Sequence, residues 1–167
     1  MTEADIEKKV YRLTPSDPTA IVIHCSDPRF QNAFKNFIHT ELGLHDGDYI
    51  PLIISGGVGS LSEPLKLPKE FKFMKERIEF FIEHFHSIPR IILINHEDCK
   101  HYESMKTLLG NSFLSRVANL VERQKVDLKS VAKNLLNLFG SKIRGELYYA
   151  HFADEQKQSV TFEKIFT

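Results

Sequence analysis

At 167 residues the chain is long enough to bury roughly two thirds of its unfolded surface around one core without disulfide staples, and residues 1–167 are read as a single domain. Hydrophobic residues at 42% and charged residues at 26% exclude a disordered or membrane-embedded chain. Lys plus Arg balances Asp plus Glu at 22 each, so no global field draws nucleic acid or an anionic membrane surface.

The acidic start around Glu3 and Asp5 is unlike a secretory signal, and a cytoplasmic location is expected. Ile6, Val10 and Leu13 follow helical spacing behind Thr2 and Asp5, which predicts a short N-terminal helix. Pro15 and Pro18 mark a loop, after which the apolar run at 20–25 reads as a buried strand ending on Cys25. Phe30, Phe34, Phe37, Ile38 and Leu42 recur at helical intervals, with Gly43 as the stop.

A second strand is predicted at 49–54, followed by Ser55-Gly56-Gly57-Val58-Gly59, where glycine permits a tight turn or close backbone approach to a ligand. The glycine spacing does not match a dinucleotide fingerprint. Residues 70–87 are helical in period up to Pro89, and 90–95 form a third buried strand with His96 and Cys99 just beyond it. Helical patterns follow at 112–123 and 127–139, the latter stopped by Gly140. The strand-like runs at 146–152 and 160–165 predict a closing hairpin. Alternating strands and helices give an α/β fold with a mainly parallel central sheet, whose chemistry is expected at the C-terminal ends of the strands.

Two cysteines cannot build a disulfide framework; one bridge is conceivable, but in a reducing compartment buried thiols or metal ligands fit better. Alone, each cysteine reads as a small buried hydrophobe. Their positions at strand ends, with His96 beside Cys99, change that reading, because thiolate and imidazole suit a borderline-soft cation such as zinc. Cys25, His96 and Cys99 supply three protein ligands and leave a fourth position open.

Cys25-Ser26-Asp27-Pro28-Arg29 resembles the CxDxR motif of the β-class carbonic anhydrases, and His96-Glu97-Asp98-Cys99 resembles their HxxC motif. The resemblance runs in outline from about residue 20 to the end and marks the chain as a divergent, small relative. It implies a parallel sheet flanked by helices with a C-terminal β-hairpin, and Zn2+ held by Cys25, His96 and Cys99. It also implies a catalytic dyad of Asp27 and Arg29, a substrate pocket near Gly56 and Gly57, and a homodimer or higher homo-oligomer. The implied reaction is reversible hydration of carbon dioxide to bicarbonate by a zinc-bound hydroxide.

The chain departs from the family in having Ile53-Ile54 where Arg-Asn is common, Lys100 where glycine follows the cysteine, and Pro28 within CxDxR. Two further readings stay open: hydrolysis of another small linear molecule such as carbon disulfide or carbonyl sulfide, and a non-catalytic zinc-binding protein. His24, His101 and Tyr102 are candidate proton shuttles with packing or solvent exposure as the blander alternative, and Glu97 and Asp98 read either as groups supporting the metal ligands or, preferably, as solvated loop charges.

Overall fold

The computed structural model describes residues 10–114, 117–141 and 143–166. In chain order they form β1 (Ala20–Cys25), α1 (Gln31–Thr40), β2 (Tyr49–Ile54), α2 (Gly59–Ser62), α3 (Pro68–His84), β3 (Arg90–His96), α4 (Lys100–Leu109), a 3-10 turn (Gly110–Leu114), α5 (Leu120–Phe139), β4 (Arg144–Phe152) and β5 (Val160–Ile165). One five-stranded sheet has the order β2-β1-β3-β4-β5. The first four strands are parallel, and β5 runs antiparallel to β4 as the expected hairpin.

Alternation along the strands divides the core into two layers. Ile21, Ile23, Ile91 and Leu93 pack with Met74 and Ile78 of α3 and with Leu128, Val131 and Leu135 of α5. Their neighbours Ala20, Val22, Ile92 and Ile94 pack on the other face against Phe34, Phe37 and Ile38 of α1. β1 and β3 are buried on both faces, which is why they read as continuous apolar runs rather than alternating ones. β2, at the sheet margin, is only half-buried.

Two helical boundaries differ from expectation. The pattern at 112–123 is not one helix: Gly110, at φ 64°, ends α4, and the chain continues as the 3-10 turn. α5 starts afresh at Leu120, where the Asn119 side chain accepts from the Glu122 backbone N–H at 3.0 Å and the Glu122 carboxylate accepts from Ala118 N–H. This Asn-x-x-Glu arrangement is a capping box in sequence terms. It joins the end of the first predicted helix to the second as one 20-residue helix. α4 itself was not expected. The predicted N-terminal helix falls largely outside the described residues, and Val10 to Thr19 carry no regular structure.

Central and marginal strands therefore differ in what a side chain contributes. Leu93 is fully buried whereas Ile53 is 45% exposed. Leu93→Ala is expected to lower the unfolding free energy by about 2–5 kcal/mol and Ile53→Ala by about 0.5 kcal/mol or less, read by urea denaturation. Equal losses would contradict the layer assignment.

Candidate metal centre

β1 has β2 on one side and β3 on the other, so the chain reverses its winding direction between β1 and β3. A crevice opens outside the C-terminal ends of strands at such a point. Cys25 closes β1, His96 closes β3, and Cys99 is the residue from which α4 departs. The strand alternation sends Cys25 toward the α5 face and His96 toward the α1 face, yet at the sheet's edge the two converge. One donor atom each from Cys25, His96 and Cys99 lies within 4.8 Å of the others, and all three residues are buried. The two sulfurs are 3.9 Å apart.

The backbone around this cluster is shaped to admit it. Gly56, at φ 76°, donates its N–H to the Cys25 sulfur at 3.3 Å. A Cβ on Gly56 would stand 2.1 Å from the His101 ring, and one on Gly57 2.7 Å from the backbone of His24. Neither position accepts a side chain, and the left-handed backbone is itself strained for any other residue. Asp98, at φ 59°, turns the chain between His96 and Cys99; aspartate is among the few residues that tolerate this region.

The donor set fits a soft divalent cation. The Glu97 carbonyl accepts from His96 Nδ1 at 2.8 Å, which places the ring hydrogen there and leaves Nε2 with a free lone pair. That Nε2 is buried and has no hydrogen-bond partner among the described residues. Cys25 is pulled well below the ordinary thiol range, chiefly by hydrogen bonding with Cys99 and further by the Gly56 N–H, against the cost of burial. Cys99 is pushed up by the same hydrogen bond, by burial and by the charge of Cys25. The pair thus yields one thiolate readily and resists the second until positive charge arrives between them. Two sulfurs bound to one tetrahedral zinc at about 2.3 Å stand about 3.8 Å apart, close to the spacing found.

Asp27 and Arg29 meet as expected. Asp27 Oδ1 accepts from the Arg29 backbone N–H at 3.0 Å and from Nε at 3.1 Å, while Oδ2 accepts from Nη2 at 2.8 Å. The Arg29 guanidinium, foremost through these hydrogen bonds, holds Asp27 below the usual carboxylate range. Sequence reasoning missed the other half of the arrangement. Arg29 Nη1 donates to Asp98 Oδ2 at 3.0 Å and Nη2 to the Asp98 carbonyl at 3.1 Å, so the guanidinium joins the two motifs across 69 residues. Asp98, too, is held low, first by Arg29. Glu97 is likewise engaged, its carboxylate accepting from the Phe152 N–H at 3.0 Å. Neither acid is a solvated loop charge.

The three shuttle candidates separate. His24 is buried, bonded through Nδ1 to the Cys25 carbonyl and packed 4.6 Å from the Phe34 ring. Tyr102 is fully buried. Only His101 lines the cleft of about 520 Å³ beside Cys25, with Asp27, Arg29, Ser55 and Lys100. Gly56 and Gly57 are not among the lining residues.

No family model matches the chain, and no curated protein matches it in sequence. Among solved structures, its fold is similar to that of a tetrameric β-carbonic anhydrase of Sordaria macrospora, at 14% identity over 91% of this chain and 82% of that one, TM-score 0.53. Isoform I of the Trichomonas vaginalis β-carbonic anhydrase aligns at 13% identity over 95% of this chain and 88% of that one, TM-score 0.54. The carbonic anhydrase of Streptococcus mutans aligns at 14% identity over 95% and 88%, TM-score 0.50. The chain has the β-carbonic anhydrase fold.

Metal-stripped protein is expected to carry one thiolate per chain at pH 7, detected by ultraviolet thiolate absorbance, with the second thiol still protonated. A folded protein whose two thiols both stay protonated at pH 7 would refute the coupling between Cys25 and Cys99.

Proposed function

We propose that this chain is a single-domain, zinc-dependent carbonic anhydrase, hydrating carbon dioxide reversibly to bicarbonate. The observation that carries the reading is the buried Cys25–His96–Cys99 cluster with an unpartnered imidazole nitrogen, set beside an ionised Asp27 at the mouth of a cleft. Cys25, His96 and Cys99 would hold the ion. When bound, zinc supplies Lewis acidity that brings the pKa of a water toward about 7, so that a nucleophile for carbon exists at neutral pH.

The rest of the work falls to the chain's own residues. A carboxylate offers about four lone-pair directions. Arg29 occupies three of those on Asp27, which leaves capacity to accept one hydrogen bond from the attacking water and aim its lone pair at the substrate carbon. Arg29 cannot swing away to free Asp27, because Asp98 grips its other edge. Asp27 ionises below the usual carboxylate range, so it keeps this acceptor role throughout the neutral and alkaline range and loses it only in acid. Lys100 and Arg29 at the rim place positive charge where bicarbonate enters and leaves.

A homodimer or larger homo-oligomer in the cytoplasm completes the proposal. Phe73 and Phe80 of α3 and Leu65 before it are exposed at 53%, 46% and 94%, apolar surface that association would cover. The Sordaria macrospora proteins of the same fold are tetrameric. Sedimentation at micromolar concentration is expected to show a dimer or larger species; a monomer with full activity would remove the oligomer from the proposal.

The decisive test pairs zinc analysis with carbon dioxide hydration rates. Asp27→Asn should keep its zinc and lose about 100-fold or more in rate, since it removes the charge that orients the nucleophile. Cys25→Ser should lose the zinc itself, because a hydroxyl is a poorer ligand than thiolate. A zinc-loaded wild-type protein inactive on carbon dioxide but active on carbonyl sulfide or carbon disulfide would move the substrate. One inactive on all three would leave a zinc-binding protein without this catalysis.

A further inference from the structure

A polar network adjoins the metal centre, and none of its residues lines the cleft. Asn95 and Tyr102 bracket residues 96–101, which contain His96 and Cys99. Asn95 Nδ2 donates to the Tyr102 hydroxyl at 3.2 Å and to the Gln124 carbonyl at 3.2 Å. The Tyr102 hydroxyl donates in turn to Asp127 Oδ2 at 3.0 Å. Asp127 Oδ1 accepts from Arg123 Nε at 2.8 Å, and Arg123 continues to the Glu63 carboxylate. Asn95, Tyr102 and Asp127 are 3%, 0% and 3% exposed, so bulk solvent does not reach these bonds.

We propose that Tyr102, held between Asn95 and Asp127, is a positioning residue that sets the spacing of His96 and Cys99 for the metal ion. The inference rests on the metal reading given above and extends it to residues no motif includes. Asn95 neighbours His96 on β3 but projects to the opposite face, so it anchors the strand end without entering the site. Tyr102 sits in the first turn of α4, three residues after Cys99, and its ring packs against Gly59, where a Cβ would stand 3.0 Å away. From α4, one side chain thereby reaches the end of β3, α5 and Gly59, which closes the glycine loop whose Gly56 donates to Cys25.

Packing alone does not account for the hydroxyl. Phenylalanine would fill the same space, and a buried polar network is a weak source of stability compared with well-packed apolar groups of equal volume. What the network supplies is direction. The Tyr102 hydroxyl donates to one partner and accepts from the other, so α4 is held at one rotation relative to β3, and the turn at Asp98 has both ends fixed.

The test compares wild type, Tyr102→Phe, Asp127→Asn and, as a control of general destabilisation, Leu135→Ala, a buried apolar residue of α5. Zinc affinity is measured by competition with a chromophoric chelator, and the site geometry by the visible and thiolate-to-metal absorption of the cobalt-substituted protein. Tyr102→Phe is expected to weaken zinc about 10- to 100-fold, the range for residues that orient metal ligands, and to shift the cobalt bands. Asp127→Asn, which keeps one acceptor oxygen, should change both in the same direction by less. Leu135→Ala should lower the melting temperature and leave affinity and spectrum unchanged.

Unchanged affinity and spectrum in Tyr102→Phe would overturn the proposal, as would an equal loss of affinity in Leu135→Ala. Should Tyr102→Phe not fold, Asp127→Asn decides by the same two readouts. A wild-type protein that takes up neither ion would overturn the metal reading along with this one, whereas a wild type that binds zinc without hydrating carbon dioxide leaves this inference standing.

Discussion

Two thiols and an imidazole nitrogen, buried within one another's reach, pose an electrostatic problem that the protein alone solves only in part. One thiol can ionise by sharing a hydrogen with the other, but the second is then held protonated, and the His96 Nε2 has no hydrogen-bond partner among the described residues. Burial makes each deficit costly, since an unpaired polar atom in a low dielectric loses the water it would otherwise bind. A divalent cation would relieve all three deficits together. Much of the surrounding architecture follows from that requirement: glycines where side chains would intrude, a backbone N–H aimed at sulfur, and carbonyl groups that orient the imidazole rings of His24 and His96.

The sheet delivers the donors because of its strand order. Hydrophobic burial on both faces fixes β1 and β3 in register, and their shared C-terminal edge is the one place where residues from opposite faces can meet. Rigid strands thus carry Cys25 and His96, while Cys99 arrives on a short turn whose geometry depends on contacts from elsewhere. The Arg29 guanidinium reaches that turn from the front, through Asp98, and the Glu97 carboxylate ties it to the end of β4. Local strain at Asp98 is tolerable because both flanking residues are held.

Much of this was legible in the residue order. Strands buried on two faces announce themselves as unbroken apolar runs, and the Cys25 and His96–Cys99 motifs sit where such runs end. What escaped sequence reasoning has a common physical origin. The α4 helix carries polar residues through most of its length, and its start is marked by a cysteine rather than a usual capping side chain, so periodicity was weak. The Asn119-x-x-Glu122 box was present but lay inside an apolar pattern that suggested continuity. Asp98 looked like a solvated acid because its partner is 69 residues away; pairings at that separation depend on the tertiary fold, which spacing does not encode. The same holds for Tyr102, read as a candidate shuttle or a packing residue, and for Asp127, the first residue of a predicted helix, until the fold buries them together.

The bridge from Arg29 to Asp98 also bears on how an ion would be exchanged. If the loop after β1 and the turn after β3 were separate, either could swing out by itself, and an ion could leave stepwise, shedding one sulfur at a time. Here a single planar side chain with four side-chain hydrogen bonds spans both segments. Opening one segment means breaking its half of the bridge or dragging the other along. Escape of a bound ion by opening of either segment would therefore require the two to move together or the bridge to break, and the bridge is weakest in acid, where the two aspartates that hold it take up protons.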